Sequence, residues 1–252
     1  MARFLLNCLF LFAPILLFKS LAFGTARFDE KVRFSTPDGH VLVGLYTPPR
    51  NNKSIVILLH GLRSSKGEWH SLTGALVTDG YGVLAYDLRG HGESSKTKDK
   101  DGRPTGLYGF GQPGPGSDWQ KMIDDLGRAI LFLEKKKGID RNKIYLMGAS
   151  LGANVCLNYA GLTRSVQGLI LLSPGENYMG IESEADIQSV QSLPVLIVTS
   201  PADHYAYESS LKLKKRNPKI HLWTDVKAGH GVQMFDEKLL GRIISWLDNP
   251  NK

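Results

Sequence analysis

Cysteine is nearly absent: the 252 residues contain two, Cys8 and Cys156. Cys8 lies in an apolar N-terminal segment of the kind removed on export, so a mature chain keeps one thiol and has no internal disulfide. Stability must then come from a packed core, which a chain of this size can build as one domain. Cys156 stands six residues after Ser150 in an expected helix, where a buried thiol acts as a small hydrophobe. Charge is modest, at 22 % of residues against 42 % hydrophobic, which excludes disorder, and the lack of any fixed-period repeat excludes a solenoid or propeller. His40, His70, His91, His204 and His221 show no metal-ligand spacing, and no second cysteine is left for zinc, so no metal is implied. No aromatics interleave with the basic runs Lys135-Lys136-Lys137 and Lys212 to Lys219, so nucleic acid is excluded as a partner. Gly109-Phe-Gly-Gln-Pro-Gly114 matches G-x-G-x-x-G in letters only, since no strand precedes it and Pro113 and Pro115 interrupt it.

Two features are conspicuous by contrast. The first is the N-terminus: Met-Ala-Arg, fifteen mostly apolar residues from Phe4 to Phe18, then Lys19 and Ser20-Leu21-Ala22. The apolar run is shorter than the roughly 20 residues a spanning helix needs, and the small residues after it fit a cleavage site. Residues 1–22 are therefore expected to be a signal peptide and 23–252 a single catalytic domain, with cleavage after Ala22 or, nearly as well, after Ala26. An uncleaved leader acting as an anchor is the alternative; either way the domain is expected outside the cytosol, secreted or in the cell envelope. The second is a net charge of +7, to which Arg3 and Lys19 of the leader contribute two. The remaining excess reads as solvated helix ends, with weak attraction to an anionic envelope surface as the minor reading. Asn52-Lys-Ser54 is a glycosylation sequon only in a host that glycosylates.

Alternating runs at Lys31 to Ser35 and His40 to Tyr46, split by Pro37-Asp38-Gly39, predict a hairpin. From Ser54 onward the pattern changes to short continuous apolar runs. These are Ile55 to Leu59, Gly82 to Tyr86, Ile144 to Met147, Gly168 to Leu172, Val195 to Val198 and Ile220 to Trp223. Runs of this type suit parallel strands buried on both faces. Helical spacing falls between and after them, near Glu68 to Thr78, Trp119 to Lys137, Leu151 to Ala160, Tyr205 to Lys215 and Asp236 to Leu247. The alternation predicts an α/β, doubly wound sheet whose ligands sit at the carboxyl ends of the strands. Arg89 to Ser117 and Gly175 to Leu193 lack clear periodicity and are expected to be loops, either substrate-shaping or plain surface excursions.

The chemistry concentrates where strand, turn and helix meet, at Gly148-Ala-Ser-Leu-Gly152. In this context G-x-S-x-G is a nucleophile elbow: the glycines let backbone pass close, and Ser150 projects at a helix N-terminus that favours developing negative charge. A serine hydroxyl needs a base, and the base needs a group to fix its tautomer. Chain order in such sites runs Ser, acid, His, which fits His230 in Ala228-Gly-His-Gly231 and Asp203 in Thr199-Ser-Pro-Ala-Asp203. Asp203 could instead cap the following helix. Asp225, five residues before His230, is then the substitute acid. The oxyanion donors are expected to be the backbone N–H groups of Leu151 and Leu62. His60 is expected to be structural.

With these residues in place, the chain resembles the α/β-hydrolase superfamily. Leu59-His-Gly-Leu62 and Asp87-Leu-Arg-Gly-His-Gly-Glu-Ser94 resemble its monoacylglycerol-lipase, lysophospholipase and serine-aminopeptidase branch. The resemblance spans roughly Lys31 to Leu247. It implies a mostly parallel eight-stranded sheet, hydrolysis through an acyl-enzyme without a cofactor, and carboxylic esters as substrates in many relatives. The chain departs from the pattern in a short segment between the sixth and seventh strands, which implies a small or minimal cap, and in Ser200-Pro201, where relatives often carry Gly.

The leading expectation is an esterase acting on a small or single-chain acyl ester. A peptidase or amidase, or an acyltransferase, could run on the same three residues, and a non-catalytic binding protein on this fold is the outsider.

Overall fold

The computed structural model describes residues 28–96, 102 and 106–250. The proposed leader, with Cys8, Arg3 and Lys19, lies outside the described residues, as does part of the loop from Arg89 to Ser117. Ten strands and six helices follow one another in the described chain: β1 (Glu30–Ser35), β2 (Val41–Thr47), β3 (Ile55–Leu59), α1 (His70–Thr78), β4 (Gly82–Tyr86), α2 (Asp118–Lys137), β5 (Ile144–Ala149), α3 (Leu151–Thr163), β6 (Gly168–Leu172), β7 (Asn177–Tyr178), β8 (Ile181–Glu182), α4 (Glu184–Ser189), β9 (Val195–Val198), α5 (His204–Arg216), β10 (His221–Trp223) and α6 (Glu237–Asp248). Eight strands form one sheet in the order β1-β2-β4-β3-β5-β6-β9-β10. β1 and β2 join antiparallel, and from β4 to β10 the sheet is parallel. This is the mostly parallel α/β-hydrolase sheet that the apolar runs and the resemblance imply.

The five strands β3, β4, β5, β6 and β9 are buried at every residue, because helices cover both faces. Within β3 the two-residue period still divides the side chains: Ile55, Ile57 and Leu59 enter the core under α2 and α3, while Val56 and Leu58 enter the core under α1 and α6. Both long flanking helices are fixed by their caps. The Ser117 hydroxyl accepts from the Gln120 amide ahead of α2, Gly138 closes α2 at φ 65°, and the Asp236 carboxylate accepts from the Leu239 amide ahead of α6.

The segment from Gly175 to Leu193 is more ordered than its aperiodic sequence implies. It holds the two-residue strands of a small hairpin, β7 and β8, followed by the short helix α4. The expected loop is thus a small structured cap beside the carboxyl end of β6.

Candidate active site

Ser150 sits between β5 and α3 with φ 54° and ψ −120°, a conformation that non-glycine residues hold only under strain. The neighbouring glycines permit it. A Cβ on Gly148 would collide with the Gly152 backbone, and one on Gly152 with the carbonyl oxygens of Leu59 and His60. A Cβ on Gly61 would stand 3.4 Å from Cβ of Ser150, so the loop after β3 lies directly against the elbow. Leu151 is the first residue of α3, so its N–H has no partner within the helix. Leu62 is one residue from the close approach at Gly61. The predicted oxyanion pair therefore occupies the two backbones that meet at Ser150.

The end of β6 ties the Ser150 loop to the His230 loop. The Ser150 N–H donates to the Leu172 carbonyl at 2.8 Å, and the next residue, Ser173, accepts the Gly231 N–H on its hydroxyl at 2.9 Å. His230 precedes Gly231, and its Nδ1 donates to Oδ2 of Asp203 at 2.6 Å, which leaves Nε2 for other partners. The His230 side chain is 42 % exposed and that of Asp203 only 15 %, so the ring is open to a ligand while its carboxylate is shielded. No hydrogen bond joins His230 to Ser150 among the described residues. Burial raises the Tyr178 phenol, on β7, and the Ser150 hydroxyl beside it pulls the other way.

Asp203 does occupy the N-cap position of α5, yet its side chain makes no capping hydrogen bond. Its carboxylate turns to His230 instead. Asp225, the substitute acid, is bound by the Arg242 guanidinium at 3.0 to 3.1 Å on an exposed surface, and that hydrogen bond holds its carboxyl below the usual carboxylate range. The structure thus brings His230 to Asp203 and not to Asp225.

His60 is fully buried. Its Nε2 accepts the Leu88 N–H at 3.0 Å, so Nδ1 carries the proton and donates to the Gly61 carbonyl at 2.7 Å. Burial, with His91 beside it, pushes the imidazole down to about 4. The Asp87-to-Ser94 segment is likewise a frame. The buried Asp87 carboxylate accepts the Lys66 and Glu93 amides, each at 2.8 Å, and pairs with Lys66 Nζ at 2.6 Å. Arg89 grips the buried Asp125 through two hydrogen bonds of 2.6 and 2.7 Å. Burial raises the Cys156 thiol far above its usual range, which keeps it protonated.

Three site residues escape the sequence reading. Glu68 accepts the Gly61 N–H at 3.0 Å, and burial raises its carboxyl against the opposing pull of Ser64, Gly61 and His230. Asn154, fully buried in α3, fixes the cap through the carbonyls of Gly175 and Ile181 and the Gly175 amide. Tyr178 meets both Ser150 and His230. The signals available were an amide side chain in an otherwise apolar helix and, for Tyr178, an aromatic beside the turn signal Gly180.

The family model for serine aminopeptidases, S33, matches residues 50–181, from the turn before β3 through the elbow to the cap hairpin. The chain belongs to this hydrolase family. As an S33 serine aminopeptidase family member it is 28 % identical over 165 residues to protein phosphatase methylesterase 1 of Candida albicans, a match covering 65 % of this chain and 39 % of that protein. The chain thus spans well under half of that relative. It is 25 % identical over 225 residues to the uncharacterized protein YfhR of Salmonella typhimurium, covering 75 % and 70 % of the two chains. Among solved structures, an esterase of Pyrococcus furiosus superposes with a TM-score of 0.68 over 89 % of this chain and 92 % of its own, at 22 % identity, and so shares the fold of this S33 family member.

Proposed function

We propose that the chain is a serine esterase in which Ser150 attacks the carbonyl of a small carboxylic ester, His230 is the general base and Asp203 orients it. The observation that carries this reading is the pairing of a strained elbow serine with a half-exposed histidine whose Nδ1 is held at 2.6 Å by a shielded carboxylate. In the first half-reaction Oγ of Ser150 forms a bond to the carbonyl carbon and its proton passes to Nε2 of His230. The N–H groups of Leu62 and Leu151 receive the oxyanion. The C–O bond to the alcohol then breaks, and the alcohol leaves with the proton from His230. Water repeats the sequence and releases the acid. These steps use only the chain's own groups, with no metal or cofactor invoked.

Membership of a hydrolase family, a methylesterase relative and an esterase neighbour support an ester as substrate. The second reading is a peptidase or amidase, favoured by the aminopeptidase character of the matching family. The test is turnover of a matched panel of ester, thioester, amide and aminoacyl substrates by the wild type and Ser150→Ala. The esters are expected to be cleaved fastest, with Ser150→Ala inactive. Preferential cleavage of amides would establish the second reading. The apolar leader supports export to the cell envelope or beyond, and an intact mass lacking residues 1–22, or 1–26, on protein recovered outside the cytosol tests that reading.

A further inference from the structure

The cap hairpin is rigidly attached. Its two-residue turn, Met179-Gly180, has both φ values positive, 52° and 76°, the hand that suits the twist of a two-stranded ribbon. Asn154 of α3 donates to the Gly175 and Ile181 carbonyls at 2.9 and 2.8 Å and accepts the Gly175 amide at 3.1 Å. The Ser183 hydroxyl donates to the same Gly175 carbonyl at 2.8 Å. From α5, the Tyr205 hydroxyl accepts the Asn177 amide at 3.0 Å and donates to the Asn177 carbonyl at 2.9 Å. The Ser209 hydroxyl accepts the Glu176 amide at 3.1 Å. A hairpin held by α3 on one side and α5 on the other is a wall, not a swinging lid.

Tyr178 is the part of that wall that reaches the reacting atoms. Its ring meets the His230 ring edge-on, with centroids 6.5 Å apart at 90°, and the Tyr205 ring at 5.6 Å. Gly175 makes room, since a Cβ there would lie 2.7 Å from both tyrosine rings. The Tyr178 hydroxyl donates to the Ser173 carbonyl at 3.3 Å, and the Ser150 hydroxyl beside it opposes the rise that burial gives the phenol.

In acyl transfer the base returns its proton to the leaving oxygen, so the leaving group must depart beside the imidazole. The candidate oxyanion donors come from the loop after β3 and the start of α3, whereas Tyr178 enters from the β6 end, against His230. We propose that Tyr178 walls the leaving-group subsite and restricts it to short alcohols, while its hydroxyl turns from the Ser173 carbonyl to donate its one hydrogen bond to the departing oxygen. This inference rests on reading Ser150 and His230 as nucleophile and base.

The test uses esters of one acyl group with methyl, ethyl, benzyl and p-nitrophenyl leaving groups, assayed with the wild type, Tyr178→Ala and Tyr178→Phe, each checked by thermal melting and by fluorophosphonate labelling. All four esters pass through the same acyl-enzyme, so differences in kcat/KM report the leaving-group side alone. Tyr178→Ala is expected to raise the benzyl-to-methyl ratio of kcat/KM by about tenfold or more, the range for opening a pocket by several carbons. Tyr178→Phe keeps the ring and is expected to lower kcat/KM for the alkyl esters about five- to tenfold, the worth of one hydrogen bond. The p-nitrophenyl ester should lose far less, because that anion departs without a proton. An unmoved benzyl-to-methyl ratio, or equal loss on alkyl and p-nitrophenyl esters by Tyr178→Phe, overturns the inference while Ser150 labelling still stands. Failure of the wild type to label would overturn the inference and the esterase reading together.

Discussion

Nδ1 of His230 and Oδ2 of Asp203 stand 2.6 Å apart although the two residues lie 27 positions apart in the chain, on loops that follow different strands. This pairing predicts the effect of removing the charge alone. Asp203→Asn should lower kcat on the order of 10⁴-fold with little change in KM, the pattern of a histidine in the wrong tautomer. Asp225→Asn should change kcat little, because its carboxylate is engaged by Arg242. Steady-state kinetics of both variants would refute the assignment if the losses were reversed.

The elbow glycines predict opposite outcomes for two alanine substitutions. Gly152→Ala would drive a Cβ into the carbonyl oxygens of Leu59 and His60, moving the loop that carries Leu62. It should cost about 1–3 kcal/mol of stability and most of the activity. Gly241→Ala in α6 meets nothing within 4 Å and should stabilise by up to about 1 kcal/mol at full activity. Denaturant melts and turnover measured on the same samples check both; equal effects would contradict the packing argument.

Asn154→Ala should strip the Ile181 carbonyl and the Gly175 amide of their Asn154 partner and leave the Gly175 carbonyl with Ser183 alone, at roughly 2–4 kcal/mol. Hydrogen exchange should then quicken selectively at residues 175–182. If exchange there is unchanged while the protein is destabilised elsewhere, the cap is not held through α3.

Burial and His91 hold the His60 imidazole at about 4 against an ordinary value of 6.5. Between those values the unfolded chain binds a proton that the native site refuses. Stability should therefore fall as pH drops from 6.5 toward 4, with this contribution to the slope absent above 6.5. Nitrogen-15 NMR of the imidazoles at pH 5.5 should find His60 neutral and protonated on Nδ1. A cationic His60 at that pH would contradict the burial account.

Much of this architecture is legible in the sequence because its causes are local or periodic. Ile55 to Leu59, Gly82 to Tyr86, Gly168 to Leu172 and Val195 to Val198 form strands with the same bounds as their apolar runs, since strands buried on both faces need no other signal. G-x-S-x-G marks the elbow because only glycine fits where backbones nearly touch. In sequence Asp203 is ambiguous for a physical reason: the residue that ends a strand-to-helix loop is both a capping position and a place from which a carboxylate reaches a histidine. Only the side-chain direction decides, and that is a tertiary fact. The cap is the least legible element. β7 and β8 have two residues each, and α4 buries only Ile187, so no period can emerge; their order comes from Asn154, Tyr205 and Ser209 on distant helices.

The most direct measurement is the site of covalent capture. After reaction with a fluorophosphonate and proteolysis, peptide mass spectrometry should place a single adduct on Ser150, absent from Ser150→Ala and strongly slowed in His230→Ala. Ser150→Ala should fold normally, with turnover reduced to the residual left by the oxyanion donors and binding alone. An adduct on another residue, or comparable turnover by Ser150→Ala and the wild type, would contradict the account.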